Sequence, residues 1–239
     1  MPASHPDAAR LREIYRLLEC AYGSETWHWS PEHVRGPIDV LVGAVLVQHT
    51  TWSNAERALE SMRAAAALDM VAITAMPDDE LASLVRVSGT PTIKARRLRA
   101  LAATVERSGG LTAFLRLPTP VLRSELLATH GIGPETADAI LLYAAGRRVF
   151  EIDAYTKRIF SRIGAGPGET AAYNVWQRYF EDALGCDGDA KMYQRYHGYI
   201  VLHGKRRCRT VPRCADCPLL AVCCEGSVRV GSVAASDTL

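Results

Sequence analysis

Five of the seven cysteines fall in one short segment, with the spacing Cys208-x5-Cys214-x2-Cys217-x5-Cys223 and Cys224 directly after it. In a reducing compartment, clustered thiols are typical of a metal site, because thiolates are soft ligands and disulfides do not persist. Four thiolates held by short loops suit a [4Fe–4S] cluster. A zinc site is the alternative, although four-cysteine zinc sites more often contain two Cys-x2-Cys pairs.

A second segment able to bind a ligand is the turn Gly131-Ile132-Gly133, followed by Pro134 at the start of the next predicted helix. Glycine lets the backbone approach a ligand closely, and the free N–H groups at a helix N-terminus bind anions. The turn is therefore either a phosphate cradle or a helix-turn-helix corner in which glycine serves only a steric need.

Asp153 lies between the largely apolar residues 149–152 and an amphipathic helix that begins at Ala154. An aspartate at this point is most often the N-cap of the helix. A capping carboxylate is also ionised and fixed in direction, which suits it to stabilise a developing cation or to activate a water. The two roles are compatible.

The rest of the sequence predicts the helices that must position these residues. Apolar residues recur three or four positions apart along most of the chain, whereas no alternating strand pattern is found. Breaks such as Gly36-Pro37 and residues 118–120 separate roughly ten short helices. The predicted fold class is all-α, and the small, polar residues 226–239 are expected to form a flexible tail.

Composition limits the function classes only in part. The 239 residues are 48% hydrophobic, which is ample for buried cores, and a net charge of +2 does not by itself indicate a nucleic-acid partner. The apolar run from Val40 to Val47 is far shorter than the roughly 20 residues of a membrane helix. The N-terminus lacks the pattern of a secretory signal, so we expect a cytoplasmic protein with no membrane partner.

The chain contains, in this order, the segment around Gln48, the glycine turn, Asp153 and the cysteine cluster. With this order of motifs it resembles the endonuclease III branch of the helix-hairpin-helix DNA glycosylases. The resemblance covers about residues 25–224. It implies an enzyme of base excision repair that flips a damaged base out of double-stranded DNA. It also implies a monomer, associated with the nucleoid if the source is bacterial.

The resemblance further implies a two-domain all-α fold. A six-helix barrel would span residues 32–147 and end in the helix-hairpin-helix motif. Residues 1–31 and 148–225 would form a second helical domain that contains the iron–sulfur cluster.

Site residues follow from the same resemblance. Asp153 would be the catalytic aspartate. DNA phosphate would be held by Gly131, Ile132 and Gly133, with Lys205 and Arg206, and the [4Fe–4S] cluster by Cys208, Cys214, Cys217 and Cys223. The gap between the first two cysteines is one residue shorter than in endonuclease III, which leaves Cys224 as an alternative fourth ligand.

Glu135 is a departure from this pattern. Bifunctional members of the family carry a lysine at that position, whose amine forms a Schiff base with the sugar and cuts the strand. A carboxylate cannot do so, and this implies glycosylase activity with doubtful AP lyase activity. Glu135 would then help to hold the attacking water or only stabilise a helix N-terminus. Lys157 and Lys205 remain as conceivable amines for a lyase step.

Three of the four tryptophans, Trp27, Trp29 and Trp52, lie close in sequence to Gln48. This is similar to the 3-methyladenine DNA glycosylases of the same branch, which lack the lyase lysine and stack the base between aromatic rings. An N-alkylated purine is cationic and stacks favourably on an indole. We expect Trp52 with Trp29 or Trp27 to enclose the flipped base while Gln48 fills its place in the DNA. The alternative for each tryptophan is a core position.

Two other functions are compatible with the sequence. One is an endonuclease III-type glycosylase for oxidised or mismatched pyrimidines, and the other is a non-catalytic DNA-binding module, which the intact Asp153 disfavours. The basic residues within 92–99 and 205–213 either contact phosphate or only solubilise their surfaces.

Overall fold

The computed structural model describes residues 6–27, 29–30, 33–185 and 188–236, with side chains described as far as residue 231. Over those residues the protein forms thirteen α-helices and no strand, which confirms the all-α prediction. None of the described helices is long and apolar enough to span a membrane.

The chain divides into two units, which we call the central unit (residues 28–147) and the terminal unit (residues 1–27 with 148–239). The sequence analysis placed the first boundary at 31/32 instead of 27/28, and the second at the same point. The helices of the central unit are α2 (Pro37–Leu46), α3 (Trp52–Ala64), α4 (Met70–Ala75), α5 (Asp78–Leu84), α6 (Pro91–Arg107), α7 (Leu111–Arg116), α8 (Thr119–Ala128) and α9 (Pro134–Ala139).

Helix α2 forms the centre of the central unit. Every residue from Asp39 to Leu46 is buried, and the helix packs against α3, α6 and α9. A helix that is apolar on all sides must be buried on all sides. Its C-terminus is fixed by Lys94, a buried lysine of α6 whose Nζ donates to the Leu46 carbonyl at 2.6 Å and to the Ser88 carbonyl. A cation at this end also complements the helix dipole.

Helix α9 is shorter than its sequence pattern predicts. The backbone changes to a single π-helical turn at Ile140–Ala144, in which the Ala145 N–H donates to the Ile140 carbonyl at 3.1 Å. Such turns re-aim side chains and are frequent at functional sites. Here the turn carries Tyr143.

In the terminal unit the two ends of the chain pack together. Its helices are α1 (Ala8–Tyr22), α10 (Ala154–Ile163), α11 (Tyr173–Leu184), α12 (Ala190–Arg206) and α13 (Cys224–Ser236). Helix α1 packs against α11 and α12, and the buried Tyr196 hydroxyl donates to the Leu11 carbonyl at 2.8 Å. Stacked and edge-on aromatic rings fill the core, including Phe150 on Phe180 with centroids 4.2 Å apart.

The flexible tail expected from residue 226 onward is wrong up to Ser236, because α13 covers that segment. The helix packs against α10, and Glu225 pairs with Arg162 of α10 at 3.4 Å and with Arg229 at 2.7 Å. These contacts stabilise a segment whose own sequence has no apolar period. Residues 237–239 lie outside the described part of the chain.

Candidate active site and cysteine centre

The glycine turn joins α8 to α9 in a tight hairpin. Gly131 has φ +81°, a conformation that favours glycine, and the Ile132 N–H donates to the Thr129 carbonyl at 3.1 Å. The Ile132 side chain is buried and anchors the turn. Gly133 is the N-cap of α9, where no side chain accepts from the first amides of the helix. The exposed helix start is therefore open to an anion.

An ion pair holds the two helices of this hairpin together. Asp138 of α9 is fully buried, and Arg123 of α8 donates to both of its carboxylate oxygens, at 2.7 and 3.0 Å. A bidentate guanidinium fixes the geometry of its partner as well as neutralising it. The direction of the hairpin thus depends on a contact that the glycine motif does not reveal.

Gln48 follows α2 and is bound to the hairpin. Its Nε2 donates to the Gly131 carbonyl at 3.1 Å and to the Thr136 hydroxyl at 3.0 Å, and Arg97 of α6 donates to its Oε1. The backbone turns sharply after it, at His49 with φ +55°. In this structure the Gln48 amide supports the glycine turn, and the predicted role of Gln48 in filling a gap in DNA would require it to leave these partners.

Trp29 and Trp52 of the central unit are in edge-to-face contact, with centroids 4.6 Å apart and planes at 63°. Both indoles lie over Gly43 of α2, where a Cβ would stand 2.9 Å from the Trp29 ring. The entry of a base between these two rings stays a prediction, and the rings, which are in contact in this structure, would have to separate to admit it. Trp29 is buried and serves packing, whereas Trp52 is partly exposed.

Trp27 belongs to the terminal unit. Its ring packs edge-on against Tyr199 at 6.0 Å and lies over Gly198 of α12, where a Cβ would come within 2.5 Å of the indole. If Trp27 contacts a flipped base, it must do so while its ring stays packed on Tyr199 and Gly198.

Glu135 is exposed in the first turn of α9. A negative charge at this point is favourable for the helix dipole, as the sequence suggested. The side chain is a carboxylate at the position where bifunctional relatives would place an amine.

Asp153 caps α10 and is buried. Its Oδ1 accepts from the Thr156 N–H and from the Thr156 hydroxyl, both at 2.7 Å, which confirms the predicted N-cap. Its Oδ2 lies 3.7 Å from Nε2 of His197 on α12. Burial alone would raise the pKa of the Asp153 carboxyl, but His197 and Thr156 hold that pKa below its usual value. Asp153 is therefore an ionised, rigid carboxylate.

The basic residues differ in how free they are to meet phosphate. Arg206 donates to both carboxylate oxygens of Glu25, at 2.7 and 2.9 Å, which holds its guanidinium in an exposed ion pair within the terminal unit. Lys205 is exposed, and although burial of its amine lowers its pKa, the charge of Asp153 opposes that shift. Lys157 donates to the Ala171 carbonyl at 2.9 Å, which ties this candidate amine to the backbone.

Three of the basic residues in the 92–99 segment, Lys94, Arg97 and Arg99, make contacts within the central unit. Lys94 is buried beneath α2, and Arg97 binds Gln48. Arg99 donates to the Thr74 and Met76 carbonyls, each at 2.6 Å. Arg96, also on α6, is exposed and so suited to contact phosphate.

The cysteines of the 208–223 segment surround one cavity in the terminal unit. Its wall includes Cys208, Cys214, Cys217 and Cys223, together with His203 and Arg162. Burial raises the pKa of the Cys217 thiol to about 11. Deprotonation at neutral pH therefore requires a bound metal. Cys224 is exposed instead, with its Sγ beside Gly164.

Polar donors already point at these sulfurs. Arg162 donates to the Cys208 Sγ at 3.4 Å, and the Gly226 N–H donates to the Cys223 Sγ at 3.3 Å. His203 Nε2 lies 3.8 Å from the Cys217 Sγ, and burial lowers the pKa of this histidine to about 4, so it is neutral at pH 7. Such contacts stabilise thiolate ligands.

Sequence reasoning missed two groups beside the predicted residues. His197 and Glu151 lie with Asp153, and Tyr143 packs on Trp29 with centroids 5.9 Å apart. The spacing of Glu151 and Asp153 along an extended segment was the only local signal. The position of His197, 44 residues later, depends on tertiary packing.

Comparison with known proteins agrees with this geometry. The model of the HhH-GPD superfamily of base excision DNA repair proteins matches residues 42–180. A Methanocaldococcus jannaschii protein named as a candidate DNA repair glycosylase is 40% identical over 216 residues, which are 89% of this chain and 95% of that protein. Endonuclease III of Treponema pallidum is 27% identical over 90% of this chain and 96% of its own length.

Solved structures give the same result. A Helicobacter pylori 3-methyladenine DNA glycosylase bound to 1,N6-ethenoadenine is 28% identical, with a TM-score of 0.71 over 82% of this chain and 97% of that one. Endonuclease III in a non-covalent DNA complex shares the fold, with a TM-score of 0.78 over 94% of this chain and 98% of that one, at 20% identity. The chain belongs to the HhH-GPD superfamily and is a DNA-binding N-glycosylase of base excision repair.

Proposed function

We propose that this glycosylase is monofunctional and removes N-alkylated purines such as 3-methyladenine. The observation that carries the first part is Glu135, an exposed carboxylate in the first turn of α9 where a lyase would need an amine. Without an amine at that position, the glycosidic bond is broken by hydrolysis and the strand stays intact.

The second part rests on the chemistry of the base. An N-alkylated purine carries positive charge, stacks well on an indole and leaves readily, so little acid catalysis is needed. Trp29 and Trp52 are in edge-to-face contact, and Trp29 is buried whereas Trp52 is partly exposed. We therefore assign the surface on which the base stacks to Trp52. The 28% identity to a protein named as a 3-methyladenine DNA glycosylase points the same way.

Asp153 would carry the hydrolysis. As the bond breaks, its electron pair leaves with the purine and C1′ of the sugar becomes cationic. An ionised carboxylate fixed by Thr156 stabilises that cation and orients the water that adds to C1′. The proton of this water passes to solvent, because the cationic purine leaves as a neutral base, and the products are free base and an abasic site.

DNA phosphate would bind the backbone of Gly131, Ile132 and Gly133 at the open start of α9. Lys205 is free to contribute a further contact. Arg206 would contribute by exchanging its exposed ion pair with Glu25 for phosphate.

The cysteine cavity fits a [4Fe–4S] cluster held by Cys208, Cys214, Cys217 and Cys223. The exposed position of Cys224 favours Cys223 as the fourth ligand. Bound there, the cluster would cross-link the 208–223 loop.

The test is to incubate the purified protein with methylated DNA and with a thymine-glycol duplex, scoring free base and strand breaks before and after alkali. Release of 3-methyladenine, with breaks only after alkali, supports the proposal. Release of thymine glycol alone overturns the alkylpurine assignment.

The alternative of an endonuclease III-type enzyme for oxidised pyrimidines is favoured by one observation. Lys205 is an exposed residue whose amine is partly desolvated and lies near enough to Asp153 for that carboxylate to raise its pKa. A Schiff base trapped by borohydride on thymine-glycol DNA, and lost in Lys205→Gln, would support this second function.

A further inference from the structure

Three buried titratable side chains of the terminal unit form one row. His197 is 2% exposed and lies between two carboxylates, with Nδ1 3.6 Å from Glu151 Oε2 and Nε2 3.7 Å from Asp153 Oδ2. Glu151 and Asp153 are 6% and 9% exposed. Side chains two apart on an extended segment face the same way, and this brings both carboxylates to α12.

The two oxygens of Asp153 have separate partners. Oδ1 accepts both hydrogen bonds from Thr156, so its lone pairs are committed to the helix cap. Oδ2 is the oxygen that faces His197. The direction and charge of this second oxygen therefore depend on the imidazole.

The charge state of the imidazole follows from its surroundings. The two ring-to-carboxylate contacts, at 3.6 and 3.7 Å, are longer than hydrogen bonds, so the ring acts on Glu151 and Asp153 through its charge. Two buried carboxylates on opposite sides of the ring favour the imidazolium, because otherwise two negative charges would lie desolvated in the same core. Among the described residues, Lys205, also of α12, is a further charged group near Asp153.

We propose that His197 is a positioning residue for base excision, which as an imidazolium keeps Asp153 ionised and holds Oδ2 in place, while Glu151 fixes the ring from the other side. This inference rests on the proposed role of Asp153. An Asp153 that gained a proton could not stabilise the sugar cation. Glu151 restores the negative charge that the imidazolium cancels, so the row keeps one net negative charge.

The first test is the pH profile of single-turnover base release for the wild type and for His197→Gln. Removing the imidazolium raises the pKa of Asp153. As the pH is lowered, the variant should therefore lose activity at a higher pH than the wild type does. We expect the acid limb to move up by about one pH unit or more. His33→Gln, at an exposed histidine of the central unit, is the matched control and should keep the wild-type profile.

A uniform rate loss in His197→Gln, with the acid limb unmoved, would show a merely structural residue and overturn the proposal. If that variant does not fold, NMR titration of the histidines in Glu151→Gln and the wild type decides. We expect His197 to remain imidazolium through pH 7 in the wild type and to lose its proton about one pH unit lower in the variant. A neutral ring at pH 6 in the wild type contradicts the proposal.

These readouts separate this proposal from the proposed function. If Asp153→Asn keeps full base release, the role of Asp153 fails. The NMR titration still reports whether the buried row holds an imidazolium.

Discussion

Two carboxylates, Glu135 and Asp153, illustrate how environment decides the role of one functional group. Glu135 is exposed at a helix start, where water solvates it and the helix dipole favours its charge. Asp153 is buried, with a hydroxyl, an amide and an imidazole around it. Only the second is rigid and desolvated enough to act strongly on a developing cation.

Asp153→Asn should abolish most base release while leaving α10 capped. The Asn side-chain oxygen can still accept from the Thr156 N–H, but the charge that stabilises the sugar is lost. We expect a rate loss of about 10²- to 10⁴-fold in single-turnover assays. Asp189→Asn is the matched control, because Asp189 caps α12 by the same contact to Met192 at 2.7 Å; a similar loss there would point to a folding effect.

Glu135→Lys should introduce strand cleavage without alkali. The substitution places an amine in the first turn of α9, and an amine at the sugar forms a Schiff base where a carboxylate cannot. The measurement is a covalent protein–DNA product trapped by borohydride. Glu135→Gln serves as the control and should remain dependent on alkali; trapping by both variants equally would assign the lyase step to another amine.

At the scale of elements, the hairpin is stabilised by side chains outside its own turn. Helix α8 is joined to α9 by Arg123 and Asp138, and Gln48 joins α2 to the Gly131 carbonyl. A glycine-rich turn is flexible by itself, and these contacts limit it to one direction. The proposed phosphate binding by the turn would therefore depend on contacts from α2 and α8 as well as on the turn itself.

Arg123→Ala should lower the free energy of unfolding by about 3 kcal/mol, because it leaves the fully buried Asp138 carboxylate without the guanidinium. Denaturant unfolding measures the change, and DNA affinity should fall with it. Arg229→Ala removes an exposed pair within α13 and should cost at most about 0.5 kcal/mol. Equal effects of the two substitutions would contradict this account of the hairpin.

At the scale of the whole molecule, the chain ends and the cysteine loop stabilise each other within the terminal unit. Arg10 of α1 donates to the Ile163 and Gly164 carbonyls at 2.8 and 2.9 Å and reaches the Val222 carbonyl at 3.3 Å. Arg158 of α10 donates twice to the Cys208 carbonyl, at 3.0 and 2.9 Å. A cluster bound only by the folded loop would stabilise the unit as a whole.

Cys217→Ser should remove iron and sulfide from the purified protein and lower its melting temperature, because a partly buried ligand of the proposed cluster is lost. Cys20→Ser, at an exposed position of α1, should leave both unchanged. Cys224→Ser should also retain the metal, since the cavity is lined by Cys223. Loss of iron in Cys224→Ser, but not in Cys223→Ser, would reverse the assignment of the fourth ligand.

The sequence by itself determined the local features of this protein. Helices follow from apolar spacing, the tight turn from Gly131, the cap of α10 from Asp153, and the lack of a lyase amine at one position from Glu135. Each depends on chemistry within a few residues, so a single chain is enough to predict it. The order of these motifs also predicted the family, and the match to the HhH-GPD superfamily confirmed that prediction.

Only the tertiary structure decided which distant groups meet. The indoles of Trp29 and Trp52 meet edge-on because Gly43 leaves room for both, so a base could enter between them only if the rings separated. Arg206 pairs with Glu25, far away in the sequence, and His197 meets Asp153 through the packing of α12 on α10. Such contacts depend on how helices pack, which local periodicity does not specify.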